Sequence, residues 1–104
     1  MLSNRSPAED YGEKLEAAAD AKSEAMKAER YAKRVFAECI LRAEGKSAAE
    51  REANARLHPA YIKAEDQWLD LETAANITKA KADASAIAFE EWRTLRADAR
   101  SLTK

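Results

Sequence analysis

From Ala60 to Lys104 the chain contains neither glycine nor proline, and a seven-residue repeat runs through most of that stretch. Tyr61, Trp68, Ala75, Ala82 and Phe89 recur at intervals of seven, and Ala64, Leu71, Thr78, Ser85 and Trp92 follow each of them by three. Such a 3–4 spacing marks a helix that lays one face along a partner helix. The seam is small in its middle and large at its ends. Ala75, Thr78, Ala82 and Ser85 admit a close backbone, and the aromatic residues clamp either end.

The breakers set the remaining boundaries. Ser6-Pro7-Ala8-Glu9 reads as a helix start, with a capping serine, proline at the first helical position and glutamate completing a capping box. Gly45 suits the C-terminal cap of that helix. Ser47-Ala48-Ala49-Glu50 repeats the capping pattern, and Pro59 restricts His58 and ends a short second helix. The expected helices are therefore about 7–44, 48–57 and 60–101. Residues 1–6 are expected to be disordered, 7–101 to form one helical-hairpin domain and 102–104 to fray. The composition agrees with long helices: charged residues make up 36% of the chain, and alanine supplies much of the 46% apolar fraction. At 1.5 Å per residue the outer helices would each be roughly 55–65 Å long, too long for a compact single-chain globule.

In the first helix a repeat of small residues, Ala18, Ala25, Ala32 and Cys39, is extended forward by Tyr11. Its companions three residues earlier are Leu15, Lys22, Glu29 and Phe36. Lys22 and Glu29 are odd members. Either they fix register at a cost in stability, or the seam rotates and exposes them. The core expected from both seams is Leu15, Ala25, Ala32, Phe36, Cys39, Trp68, Leu71, Ala75, Ala82, Phe89 and Trp92. Phe36 is expected near Trp68, and Leu15 near Phe89 and Trp92.

Charge gives the direction. The first helix begins with Glu9, Asp10, Glu13, Glu16 and Asp20 and later carries Lys27, Arg30, Lys33 and Arg34. The last begins with Glu65, Asp66, Asp70 and Glu72 and ends with Arg93, Arg96 and Arg100. Acid at the start and base at the end suit the macrodipole, and an antiparallel hairpin sets acid against base at both ends. Two readings stand for the arginines. They neutralise Glu9, Glu13 and Glu16, or they contact a partner or phosphate, together with Arg30 and Arg34 of the first helix. Arg100 falls past the acidic start of the first helix and is the one expected to act outward. Trp92 reads as seam or as a stacking platform.

Little here resembles a catalytic or metal site. His58 is the only histidine, and no Glu-x-x-His pair exists for a carboxylate-bridged metal. Adjacent Glu90 and Glu91 point about 100° apart on a helix and make no acid/base pair. No glycine-rich phosphate loop occurs. Cys39 reads as a buried, inert seam thiol; as the single cysteine it excludes an internal disulfide and fits a reducing cytoplasm. The net charge of −1 argues against bulk attraction to nucleic acid or a membrane surface. No apolar run is long enough to span a bilayer, and "MLSNRSPAED" lacks the apolar core of a signal peptide. The expectation is a cytoplasmic non-enzyme without cofactor, metal or small-molecule substrate. Leu69, Ile77, Ile87 and Leu95 lie off the last seam, and Met26, Val35 and Ile40 off the first. One hairpin cannot cover them all, so a homodimer forming a four-helix bundle is expected.

"AERYAKRVFAECILRAEGKSAAEREANARLHPAY" (28–61) and "WRTLRADAR" (92–100), with the Ala/Glu-rich stretch between, resemble small uncharacterised all-helical proteins encoded by tailed bacteriophages near recombination and single-strand-binding genes. The likeness is carried by Ala28-Glu29-Arg30, the Ser47–Glu52 run, His58-Pro59-Ala60-Tyr61 and Trp92-Arg93-Thr94, and covers about residues 25–100. It implies no catalytic residues. It implies a setting of DNA metabolism or interference with host machinery in the cytoplasm of an infected bacterium. The functional expectation is a protein-interaction module acting on a recombination, replication or host-defence component. The alternative is a single-stranded-DNA-binding accessory protein of phage recombination.

Overall fold

The computed structural model describes residues 5–102. Three α-helices follow one another: α1 (Pro7–Arg42), α2 (Ala48–Arg56) and α3 (Pro59–Leu102). No strand occurs among the described residues. The fold is all-α, with α1 packed against α3 as a hairpin and α2 in the connection. Ser6 caps α1, its Oγ accepting from the Glu9 amide at 3.2 Å and its carbonyl from the Asp10 amide at 3.0 Å. Arg5 pairs with Glu13. Of the tails expected from the sequence, Ser6 caps α1 and Leu102 is the last helical residue of α3. The rest of those expected tails, residues 1–4 and 103–104, lies outside the described residues.

The junction is held by side chains of α2. The Ser47 Oγ accepts from the Glu50 amide at 3.1 Å, and the Glu50 carboxylate accepts from the Lys46 amide at 2.8 Å. The carboxylate reaches one residue beyond the cap position that a capping box would use. Arg51 Nη1 donates to the Gly45 carbonyl, and Asn54 Nδ2 to the Glu44 carbonyl at 2.7 Å. Gly45 lies three residues beyond α1 rather than at its cap, with φ at +157°. His58 opens α3: its Nδ1 accepts from the Ala60 amide and its carbonyl from the Ile62 amide, each at 3.1 Å. Pro59, which has no amide hydrogen to satisfy, takes the first helical position behind this cap.

Among the described residues, contacts divide the chain into two compact units, one of residues 5–20 with 76–102, the other of residues 21–75. In the second unit, Ala32, Val35 and Cys39 of α1, Ala55 of α2 and Ala64 of α3 form a buried cluster. Phe36, Ile40, Tyr61 and Trp68 pack against it, half-buried. The Phe36 ring meets Tyr61 at 4.8 Å, and the Arg56 guanidinium lies over it at 5.4 Å; Trp68 packs against the same cluster. The Tyr61 hydroxyl donates to Glu65 at 2.6 Å. In the first unit Tyr11 stacks on Phe89 at 5.8 Å, and the Ser85 hydroxyl donates to Asp10 Oδ2 at 2.7 Å.

The α3 seam is the one read from the repeat: Ala64, Ala82 and Ser85 are buried, and Tyr61, Trp68, Leu71, Ala75, Thr78, Phe89 and Trp92 are half-buried. The α1 seam needs correction. Its repeat of Ala18, Ala25, Ala32 and Cys39 stands, but the companions lie four residues earlier, at Lys14, Ala21, Ala28 and Val35. Leu15 is 47% exposed and Lys22 is exposed, while Glu29 and Phe36 are only half-buried. The spacing around the repeat is satisfied on either side. Packing favours the side whose alanines let the α3 backbone come close. This bears on the odd polar members: the seam is rotated away from Lys22, and Glu29 sits half-buried at its margin. Tyr11, one turn before Leu15, takes the place expected for Leu15 against Phe89.

Candidate interaction surface

Alanine dominates what is buried: Ala25, Ala28, Ala32, Ala55, Ala64 and Ala82, joined by Val35, Cys39 and Ser85. No larger side chain is fully buried among the described residues. The large apolar side chains lie outside. In the first unit Leu15, Ile77, Ile87, Leu95 and Leu102 are exposed; in the second, Met26, Tyr31, Leu41, Leu57, Ile62 and Leu69. Those of α3 alternate with its buried face, because residues about 100° apart per step return to the outer side every three or four positions. A shallow depression is lined by Ile87 and Leu95 with Ala86, Thr94, Glu90 and Glu91, and Glu91 stands between the two large apolar side chains.

At the C-terminal end of α3 the aromatics and arginines form a stack. Phe89 and Trp92 lie 6.0 Å apart; Arg93 sits over Phe89 at 5.8 Å and Arg96 over Trp92 at 5.0 Å. Arg93 also pairs with Glu90 at 3.3 Å. Trp92, Arg93, Arg96 and Arg100 line one depression with Glu90. Among the described residues no ion pair joins Arg93 or Arg96 to Glu9, Glu13 or Glu16. The register explains this in part: Tyr11 occupies the level of Phe89, so Arg93 falls at the level of Pro7, the first residue of α1, and Arg96 beyond it, and both fold onto their own helix.

The basic residues of α1 lie in the other unit. Lys27 pairs with Glu24 at 3.6 Å and Lys33 with Glu29 at 2.8 Å. Arg30 and Arg34 are exposed and make no ion pair among the described residues. The five arginines singled out from the sequence therefore do not form one patch within a unit.

Asp10 is perturbed by its neighbours in the first unit. Its carboxylate accepts from Lys14 at 2.9 Å and from Ser85, and these bonds, with the positive charges of Lys14 and Arg5, hold it below the usual aspartate range. Hydrogen bonding to Glu65, helped by burial, pushes the Tyr61 hydroxyl up from its ordinary value. Both pairs are structural ties between or along helices. No group of three metal-ligating side chains occurs among the described residues. No helix among them is long and apolar enough to cross a membrane.

Sequence reasoning missed the exposure of Tyr31, Leu41, Leu57 and Ile62 and the capping role of His58. The cap had a signal, a polar side chain directly before a proline that begins a helix.

No protein-family model, curated protein or solved structure matches this chain. The likeness to phage proteins rests on its quoted residues alone.

Proposed function

We propose that this chain is a non-enzymatic helical interaction module that works through protein–protein contacts, first with a second copy of itself in a four-helix bundle and then with a recombination, replication or host-defence component. The reading is carried by one observation: alanine fills the core, while Ile77, Ile87 and Leu95 and their counterparts in the second unit stand in solvent. Large exposed apolar side chains are worth about 1.5–3 kcal/mol each once covered, far more than the alanines beneath them. The phage setting and the cytoplasm of an infected cell come from the sequence resemblance. Affinity capture from phage-infected lysate, in low and high salt, tests the module. A specific bacterial or phage protein should be retained at both. Retention of nothing above control at any salt counts against it.

A second reading, binding of single-stranded DNA, is favoured by the stack of Phe89 and Trp92 with Arg93 and Arg96, since bases stack on aromatic and guanidinium planes. Against it, the arginines already cover those rings, and Glu90 shares the depression. Anisotropy of a labelled oligonucleotide decides between the readings. Binding at ~50 mM salt that weakens steeply with added salt supports DNA, and no binding there ends that reading.

A further inference from the structure

We infer that the arginine face at the end of α3 docks an acidic helix of a partner protein, one that carries carboxylates three and four residues apart on one side. The inference rests on the proposed reading that the chain works through protein contacts, and names the chemistry of the partner.

Every residue of this face belongs to the first unit. At about 100° per residue, Phe89, Arg93, Arg96 and Arg100 fall within about 60° of one another around α3. The buried Ala82 and Ser85 share that side. The face that carries α1 thus runs on past Pro7, the first residue of α1, and changes there from small and aromatic side chains to arginine. Glu91 and Asp98 lie on the opposite side of α3, and Glu90 lies about 90° from the row. Glu90 shares the depression lined by Trp92 and the three arginines and pairs with Arg93 at 3.3 Å, so positive charge stays in excess there.

Two observations choose the occupant. The first is charge and spacing. Arg93, Arg96 and Arg100 stand three and four residues apart and span roughly 10 Å of helix, the interval at which carboxylates recur on one side of a second helix. Arg93 lies over Phe89 at 5.8 Å and Arg96 over Trp92 at 5.0 Å, which holds their planes and leaves the N–H edges to donate to carboxylates. The second is what the face already holds. Before the arginines it takes α1, a helix with Glu9 and Asp10 in its first turn, Tyr11 stacking on Phe89 and Asp10 accepting from Ser85. A helix of like chemistry fits the turns that follow. A nucleic-acid strand fits less well. Its charges continue far beyond ~10 Å, toward Glu9, Glu13 and Glu16 of the same unit. The rings its bases need are already covered by guanidinium groups.

The full-length protein is titrated at ~50 mM salt, where charge contacts are strongest. The probes are an alanine-based helical peptide with glutamates spaced four and three apart, its glutamine counterpart and an oligothymidylate. NMR follows the Nε–H signals of Arg93, Arg96 and Arg100 and the indole N–H of Trp92, with the Trp68 indole in the other unit as reference. The glutamate peptide should shift the arginine and Trp92 signals with a Kd below ~1 mM, leave Trp68 still, and release as salt is raised. The glutamine peptide should bind at least about tenfold more weakly. Arg96→Gln should stay helical by circular dichroism and weaken the glutamate peptide by about fivefold or more, and Arg96→Lys, which keeps the charge without the planar fork, should recover only part of the loss. No shift at ~1 mM glutamate peptide overturns the inference, even if the chain captures another protein and so leaves the broader reading standing. Equal binding of the glutamine peptide overturns the charge argument. A Trp68 shift of equal size, or indifference to Arg96→Gln, overturns the face. An oligothymidylate that binds more tightly than the glutamate peptide makes this a nucleic-acid surface and overturns the choice of partner.

Discussion

A Cβ at position 45 would sit 2.9 Å from the Glu50 Cβ and 3.0 Å from the Arg51 amide nitrogen, and the backbone there has φ at +157°. Neither neighbour is the movable end of a side chain. Gly45→Ala should therefore cost about 1–3 kcal/mol, read as a lower midpoint in urea with an unchanged slope. A cost within measurement error would mean the junction re-forms without its bonds from Arg51 and Asn54. Asp10 carries a different constraint. Its folded pKa lies below the unfolded value because Lys14 and Ser85 hydrogen-bond the charged form. The native state accordingly binds fewer protons. The stabilisation is fully present above the ordinary aspartate range, about pH 4, and is lost as pH falls through the lowered folded value. Melting temperature should drop less between pH 6 and pH 3 in Asp10→Asn than in wild type. Equal drops would assign the acid sensitivity to other carboxylates.

At the scale of the helix, the two sides of the α1 repeat make opposite predictions. Ala32 is fully buried, at 0% exposure, so Ala32→Leu should overpack the seam and cost about 1–3 kcal/mol or more. Leu15 is half in solvent, so Leu15→Ala should cost well under the 2–5 kcal/mol of a core truncation. Denaturant titrations of both variants check the rotation of the seam; a Leu15→Ala loss in the core range would restore the frame expected from sequence. The contrast also shows what the sequence could say. The α3 seam was legible because its aromatics mark one face unambiguously at Tyr61, Trp68, Phe89 and Trp92. The α1 repeat was legible but its second row was not. Alanines and charges lie on both sides of it, and only the approach of α3 chooses between Val35 and Phe36. The arginine stack was illegible for a related reason: a register set by Tyr11 against Phe89 carries Arg93 and Arg96 past the acids expected to meet them.

For the molecule as a whole, association and stability are one equilibrium if the exposed apolar residues of α3 are covered by a second copy. The alanines of the seam bury little area per residue, so much of the apolar gain on folding would arrive only with dimerisation. Unfolding then releases two chains from one assembly, and its midpoint must depend on concentration. A hundredfold rise in protein is worth about 2.7 kcal/mol per assembly at room temperature. For a pair of chains of this length, that corresponds to a rise in melting temperature of roughly 5–10 °C. Calorimetric scans at ~5 μM and ~500 μM should differ by this amount in wild type, and by much less in Ile87→Glu if that variant is a monomer over the same range. Coincident wild-type transitions at the two concentrations would mean that the alanine seam alone holds the fold, and that the outer face of α3 contributes nothing to it.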